Sequence, residues 1–470
     1  MSNPVQLSLV DLTAALQARK LSPVELLSAV FRRLDERNAE LNAVVAMYDR
    51  DALFAQARDS ETRIARGNAR PLEGVPLGVK DLEDCAGLIT SHGSIPYREN
   101  LATHDSVQVE RLRSAGAIPI GKTNAPEFGY TAITKNLIFG VTRNPWNTAL
   151  TPGGSSGGSS AALSACILPL VTASDGGGST RIPASFVGAF GLKPTFGRIP
   201  NESKHLWSYG DTAVQGPLTK TVADNALYLD VTSGYSPEDP SSLPHPGFSY
   251  RTKLADGVPR KLRIAYSPDL GYAKVDKEIA ALVKQAVKVF ADLGAQVDEV
   301  DPGFDDQLEV FTLHWFPGAA YVIRSIPAAK RKLVDKGLLE VARQGEKITM
   351  KQHMDAVAKR GALGVLMSQF HQKYDLLLTP TLPVPAFDAG KEFPGAAKNR
   401  RWTDWTPFSY PFNLTQQPAA SIPCGLTKAG LPAGLHIVGP KYGDALVLRA
   451  ARAYETVRPV AMPALGKLKR

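Results

Sequence analysis

An α/β fold in a single large domain, with a mixed β-sheet covered by helices on both faces, is what three features of the 470-residue sequence predict. Short apolar runs alternate with helix-period segments of about 10 to 17 residues, the rhythm of strands joined by crossover helices. No repeat at the spacing of a solenoid is visible, and no low-complexity linker separates two halves. Composition is that of a packed globule, 44% hydrophobic and 21% charged, which excludes the polar, highly charged class that stays disordered.

Ser22-Pro23-Val24-Glu25 combines a capping hydroxyl, a proline at the first helical position and a glutamate that closes a capping box, so it opens an amphipathic helix toward Asn38. Residues 75–79 and 117–120 are apolar enough for strands, the second preceded by a helix over 105–114 that stops at Gly116. The uncharged stretch 144–174 is long enough to suggest a membrane span, but its first half is Gly, Ser, Pro and Asn, and Pro169 interrupts the apolar half. A span needs ~20 continuous apolar residues. The stretch therefore predicts a glycine loop, a buried helix and a buried strand. Further strands are expected at 262–266, 296–300, 374–379 and 435–438, with helices over 277–293 and 443–456. The Pro- and Ser-rich stretch 236–246 predicts a hinge or long surface loop, and 305–350 a helical excursion whose aromatics Phe311, Trp315 and Phe316 are expected to be exposed and to cover a pocket.

Charge and cysteine content narrow the class. The 54 Lys and Arg against 45 Asp and Glu give +9, small for this length. Basic clusters at 330–332, 400–401 and 467–470 lack interleaved aromatics, so solvated surface is expected and neither nucleic acid nor membrane is an expected partner. Cys85, Cys166 and Cys424 have no CxxC spacing, which excludes a readable zinc or disulfide framework and predicts no metal. The N-terminal segment has no basic head followed by an apolar run, and a cytoplasmic location is expected.

Two glycine-serine loops carry the chemistry: GGSSGGSS at 153–160 and DGGGSTR at 175–181. Neither has the lysine of a phosphate-binding P-loop, and neither fits GxGxxG between strand and helix. Both run into apolar segments, which flexible linkers rarely do. Glycine N–H groups converging beside a serine make an oxyanion hole next to a nucleophile. The eight histidines stand in no recognisable nucleophile elbow. A lysine stripped of its charge by burial is an alternative base, and Lys80, closing the run GVPLGVKD at 74–81, is placed for it at the end of a strand. A surface ion pair of Lys80 with Asp81 or Asp84 is the competing reading from that strand alone.

In order, GVPLGVKD, TPGGSSGGSS and DGGGSTRIPA resemble the amidase signature family of Ser-cisSer-Lys hydrolases. Flanking stretches are similar too: GKTNAPEFGY at 121–130, FGVTRNPWN at 139–147, FGLKPTFGR at 190–198, DLLLTPTLPVPA at 375–386 and GLPAGLHIVG at 430–439. The resemblance implies one amidase signature domain over 1–470, with an N-terminal helical part at 1–60, a core bearing the catalytic loops at 61–230 and a variable excursion at 305–350. It implies Ser179 as the acylated nucleophile, Ser155 as a bridging serine after a cis peptide bond, and Lys80 as the base. Gly176, Gly177 and Gly178 would form the oxyanion hole, with Ser156, Asp175 and Arg181 supporting the loops. Thr180 departs from the usual aliphatic residue, and Gly176 stands where some members have Ile.

The implied activity is hydrolysis of aryl or medium aliphatic amides, and by extension esters or carbamates, without a metal or organic cofactor. The expected partner is a small-molecule amide, with the oligomeric state, a homodimer included, left open. Phe128, Gly129, Tyr130 and Thr131 resemble the family's pocket-lining stretch, and Trp315 and Phe316 are expected to complete the pocket; ordinary core is the other reading of Tyr130. Another branch of the family is the glutaminase component of a tRNA-dependent amidotransferase. Against it, Thr406 falls where that branch carries an acidic residue, and 338–349 lacks its arginine segment.

Overall fold

The computed structural model describes residues 3–202, 209, 211–258, 261–395 and 400–459; the basic tail 467–470 lies outside them. The strands, in chain order, are β1 (Val44–Met47), β2 (Pro76–Lys80), β3 (Ile118–Thr123), β4 (Lys135–Asn136), β5 (Gly140–Val141), β6 (Leu170–Asp175), β7 (Phe190–Lys193), β8 (Val214–Thr219), β9 (Arg263–Tyr266), β10 (Gln296–Glu299), β11 (Leu376–Pro380), β12 (Ala419–Leu426) and β13 (Pro432–Val438). β4 and β5 pair with each other, and the rest form one 11-stranded sheet in the order β1-β3-β2-β6-β8-β7-β12-β13-β11-β9-β10. β2 runs parallel to β3 and β6, and β9 parallel to β10 and β11. The other pairings are antiparallel. The sheet is mixed, as the sequence predicts.

Two hydrophobic cores lie on its opposite faces, and strand alternation shows it. On β11, Leu376 and Leu378 belong to one core and Leu377 to the other; on β9, Ile264 and Tyr266 part from Ala265 in the same way. The first core packs the helices Pro23–Leu41, Lys277–Asp292 and Asp444–Val457; the second packs Leu308–Ser325, Lys336–Gly345 and Tyr410–Leu414. Helix Pro23–Leu41 begins with the complete capping box of Ser22 and Glu25. The uncharged stretch resolves into helix Gly157–Ser164 and strand β6, all but Ser174 buried. No helix among the described residues is long and apolar enough to cross a membrane.

The excursion is packed where the sequence predicts exposed aromatics. Phe311 and Trp315 are not exposed: helix Leu308–Ser325 lies in the second core, where they are 0% and 3% accessible and stack on each other. The helix is apolar on more than one side because Trp402, Tyr410 and Tyr209 close over it.

Candidate active site

Parallel pairing of β2 with β6 brings the C-terminal ends of two buried strands together, the usual place for sites in α/β sheets. Lys80 is the last residue of β2, and its N–H donates to Thr172 Oγ1 at 2.9 Å. Its side chain is wholly buried, and Nζ lies 2.8 Å from each of Ser155 Oγ, Ser156 Oγ and Ser174 Oγ. Burial pulls the Lys80 ammonium from 10.5 down to about 7, against the pull of the Glu83 and Asp175 carboxylates. The surface ion pair is therefore corrected: Asp81 is itself buried, accepting from Ser91 and lying 3.9 Å from Lys122.

The two glycine loops meet in front of this lysine. The peptide between Gly154 and Ser155 is cis, and the N–H of Ser156 donates to the carbonyl of Ser179 at 3.3 Å, tying one loop to the other. Ser155 and Ser179 line one cavity with Ser174 and Gly176. They are 3% and 7% exposed, so what reaches them must enter that cavity. Gly178 has φ +125°, open to glycine. Its N–H already donates to Asp175 Oδ1 at 2.8 Å. Of the three glycine N–H groups expected in the oxyanion hole, Gly178's is thus engaged in holding the loop.

Asp175 is the hub of that loop. Arg181 grips it with both arms, Nε to Oδ2 and Nη2 to Oδ1, each at 2.9 Å, and both side chains are fully buried. Burial would push the Asp175 carboxyl up, but Arg181, Asn413 and Lys193 outweigh it and hold the group well below the usual carboxylate range. Asn413 donates to Asp175 Oδ1 at 2.9 Å and accepts from Arg181 Nη2 at 2.7 Å.

Aromatic groups build the rest of the cavity: Phe128, Tyr209 and Trp315, with Leu82 and His92. Tyr209 and Trp315 stack at 3.8 Å between centroids. Gly129 also lines it, and a Cβ there would come within 3.3 Å of Ser155 Oγ. Tyr130, Thr131 and Phe316 do not line this cavity. Tyr130 instead donates its hydroxyl to Asp335 Oδ1 at 2.7 Å.

Ser174, Asn413, Glu83 and Tyr209 were not singled out by sequence reasoning as site residues. The first sits one position before Asp175 on β6, and that adjacency is the one local signal available for it. Asn413 meets Asp175 across 238 residues, a separation that leaves no spacing pattern to read.

Comparison with known proteins agrees with this architecture. Residues 25–448 match the Amidase family model. An acylamidase of Rhodococcus erythropolis is 39% identical over 462 residues, covering 97% of this chain and 96% of that protein. An amidase of Pseudomonas putida is 34% identical over 462 residues, covering 97% of each. A crystal structure of a bacterial aryl acylamidase of the amidase signature family superposes with a TM-score of 0.92 at 28% identity, covering 98% of this chain and 99% of that one. With its family model spanning both glycine loops and its fold shared end to end, this chain belongs to the amidase signature family of amide hydrolases.

Proposed function

We propose that the chain cleaves carboxylic acid amides to acid plus amine or ammonia through a serine acyl-enzyme, with Ser179 as nucleophile, Ser155 as proton relay and Lys80 as base. The observation that carries this reading is a fully buried amine 2.8 Å from the Ser155 hydroxyl, in a cavity that Ser179 also lines. A neutral amine has a lone pair to accept the Ser155 proton, while Ser155 takes that of Ser179. Ser179 Oγ then bonds to the amide carbon, and the oxyanion meets the N–H groups of Gly176 and Gly177. The proton returns through Ser155 to the leaving nitrogen, because an amine does not depart as its anion at neutral pH. Water hydrolyses the ester and restores the serine.

The aromatic wall of the cavity supports an aryl or medium aliphatic amide as substrate, with esters and carbamates as related acyl donors. The relatives named acylamidase and aryl acylamidase support the same class. Side-by-side assay of anilides, aliphatic amides, esters, carbamates and glutamine tests it. Ser179→Ala is expected to lower kcat by at least ~10³-fold, with Ser155→Ala and Lys80→Ala similarly impaired. A Ser179→Ala enzyme with wild-type turnover overturns the scheme. Turnover of glutamine alone overturns the substrate class in favour of the amidotransferase branch; against that branch stands the buried Thr406, whose hydroxyl is used on the main-chain carbonyl of Trp402.

A further inference from the structure

Beside its aromatic residues, the cavity is lined by Glu83, Gln108, Gln215 and Asn201. These form a bonded row. Gln108 Nε2 donates to Glu83 Oε2 at 2.7 Å and to Gln215 Oε1 at 3.4 Å, and Gln215 Nε2 donates to Asn201 Oδ1 at 2.9 Å. Two acceptors flanking the Gln108 nitrogen fix which way its amide faces and leave its oxygen over. Glu83 and Gln108 are 4% and 1% exposed; Gln108 Oε1 has no partner in hydrogen-bond geometry among the described residues, and neither has Glu83 Oε1, although the Thr172 hydroxyl lies close enough to that carboxyl to favour its charged form.

A buried acceptor without a donor is destabilising, so a pair of them on bonded neighbours in one cavity calls for a ligand that supplies donors. The row is also fixed in place. The N–H of Glu83 donates to the Lys80 carbonyl at 3.0 Å, and the Glu83 carbonyl accepts from Lys122 Nζ. A side chain anchored one turn after the proposed base is held at a set distance from the reacting centre.

We propose that Glu83 and Gln108 form a specificity subsite that accepts hydrogen bonds from a donor-bearing group (hydroxyl, primary amide or ammonium) at one end of an otherwise apolar amide substrate. The inference rests on the acyl-transfer reading of Ser179 in the same cavity. It deepens that reading: the aromatic wall takes the body of the substrate, and the Glu83–Gln108 pair reads its end. Burial pushes the Glu83 carboxyl up, against the pull of the Gln108 amide, the nearby Thr172 hydroxyl and the Lys80 and Lys122 amines. An ammonium would hold the group ionised, whereas a hydroxyl or amide donates to it in either state.

Matched anilides test the subsite. Their acyl chains, of one length, end in methyl, hydroxyl, carboxamide or ammonium; a second series carries the same caps on the leaving amine. Binding is read by titration calorimetry on Ser179→Ala and turnover on the wild-type chain. At least one donor cap is expected to bind roughly tenfold tighter than methyl, with the same ratio in kcat/KM. In Glu83→Leu that ratio is expected to fall to about one; Gln108→Met, which keeps the carboxyl, should reduce it and serves if Glu83→Leu fails to fold. Equal binding of all caps in both series, or a preference unchanged in both variants, overturns the subsite. A cap preference in binding without any turnover by the wild-type chain supports the subsite and counts against the acyl-transfer reading instead.

Discussion

Trp315 fills the space that a side chain at Gly176 would need. A Cβ at 176 would stand 2.8 Å from Trp315 Cζ3, closer than real contacts allow. An Ile at this position, which the family resemblance gives to some members, would therefore be incompatible with Trp315 as it sits here, stacked on Tyr209. The two positions trade volume beside the proposed oxyanion donors. Gly176→Ala is expected to lower kcat/KM on an anilide about tenfold, and by much less in a Trp315→Leu background. A double-mutant cycle should return a coupling of at least ~1 kcal/mol, as residues in contact do. Additive losses would mean the two do not share that space.

Activity should follow the protonation of Lys80. Its neutral form is the proposed base, and burial brings the ammonium down to about 7. The sign follows: below that value the amine is charged and cannot accept, so kcat/KM rises about tenfold per pH unit on the acid side and levels above neutrality. Lys80→Met should abolish the rise together with most of the activity. A profile flat from pH 5 to 9 in the wild-type chain would remove Lys80 from the role of base.

Asp175 and Arg181 are a buried pair whose value shows when one partner is lost. Arg181→Met leaves a carboxylate with no exposure and a glycine loop hung on it. Breaking such a pair costs about 3–5 kcal/mol, to be read by denaturant unfolding. The same carboxyl sets an acid limit. Because its folded-state pKa is depressed, its stabilisation is complete above the ordinary carboxylate range and lost as pH falls through and below it. A loss of under 1 kcal/mol in Arg181→Met would show that Asn413 holds the loop unaided.

What the sequence revealed was local. The capping box before Pro23, the glycine stops and the apolar strands β2, β3 and β9 are each written within a few neighbouring residues, and they fall within one to three positions of where they were expected. The two glycine-serine loops were legible for the same reason. What stayed hidden depends on distant partners. β7, β8 and β12 are the sheet centre; burial on both sides removes the alternation that marks a strand from β7, β8 and the first half of β12, and Pro423 sits at a register shift in β12. The sequence predicts exposure for Phe311 and Trp315 because the residues that cover them, from Tyr209 to Tyr410, lie about 90 to 110 positions away in the chain.

Tyr130 is the sharpest case of that limit, since its neighbours in sequence point to the pocket and its hydroxyl points elsewhere. Asp335, which accepts it at 2.7 Å, also caps helix Lys336–Gly345 by accepting from the N–H groups of Gly337 and Leu338. The N–H of Asp335 in turn donates to Glu127 Oε2 at 2.7 Å. Tyr130 thus fastens the excursion to the segment that carries Phe128 and Gly129, and acts on the pocket through that helix. Tyr130→Phe removes one hydrogen bond to a carboxylate, worth about 1.5–3 kcal/mol, with the ring's packing kept. Unfolding should show that loss, while kcat/KM on a small anilide falls by less than about threefold. A large rise in KM at unchanged stability would return Tyr130 to the substrate wall.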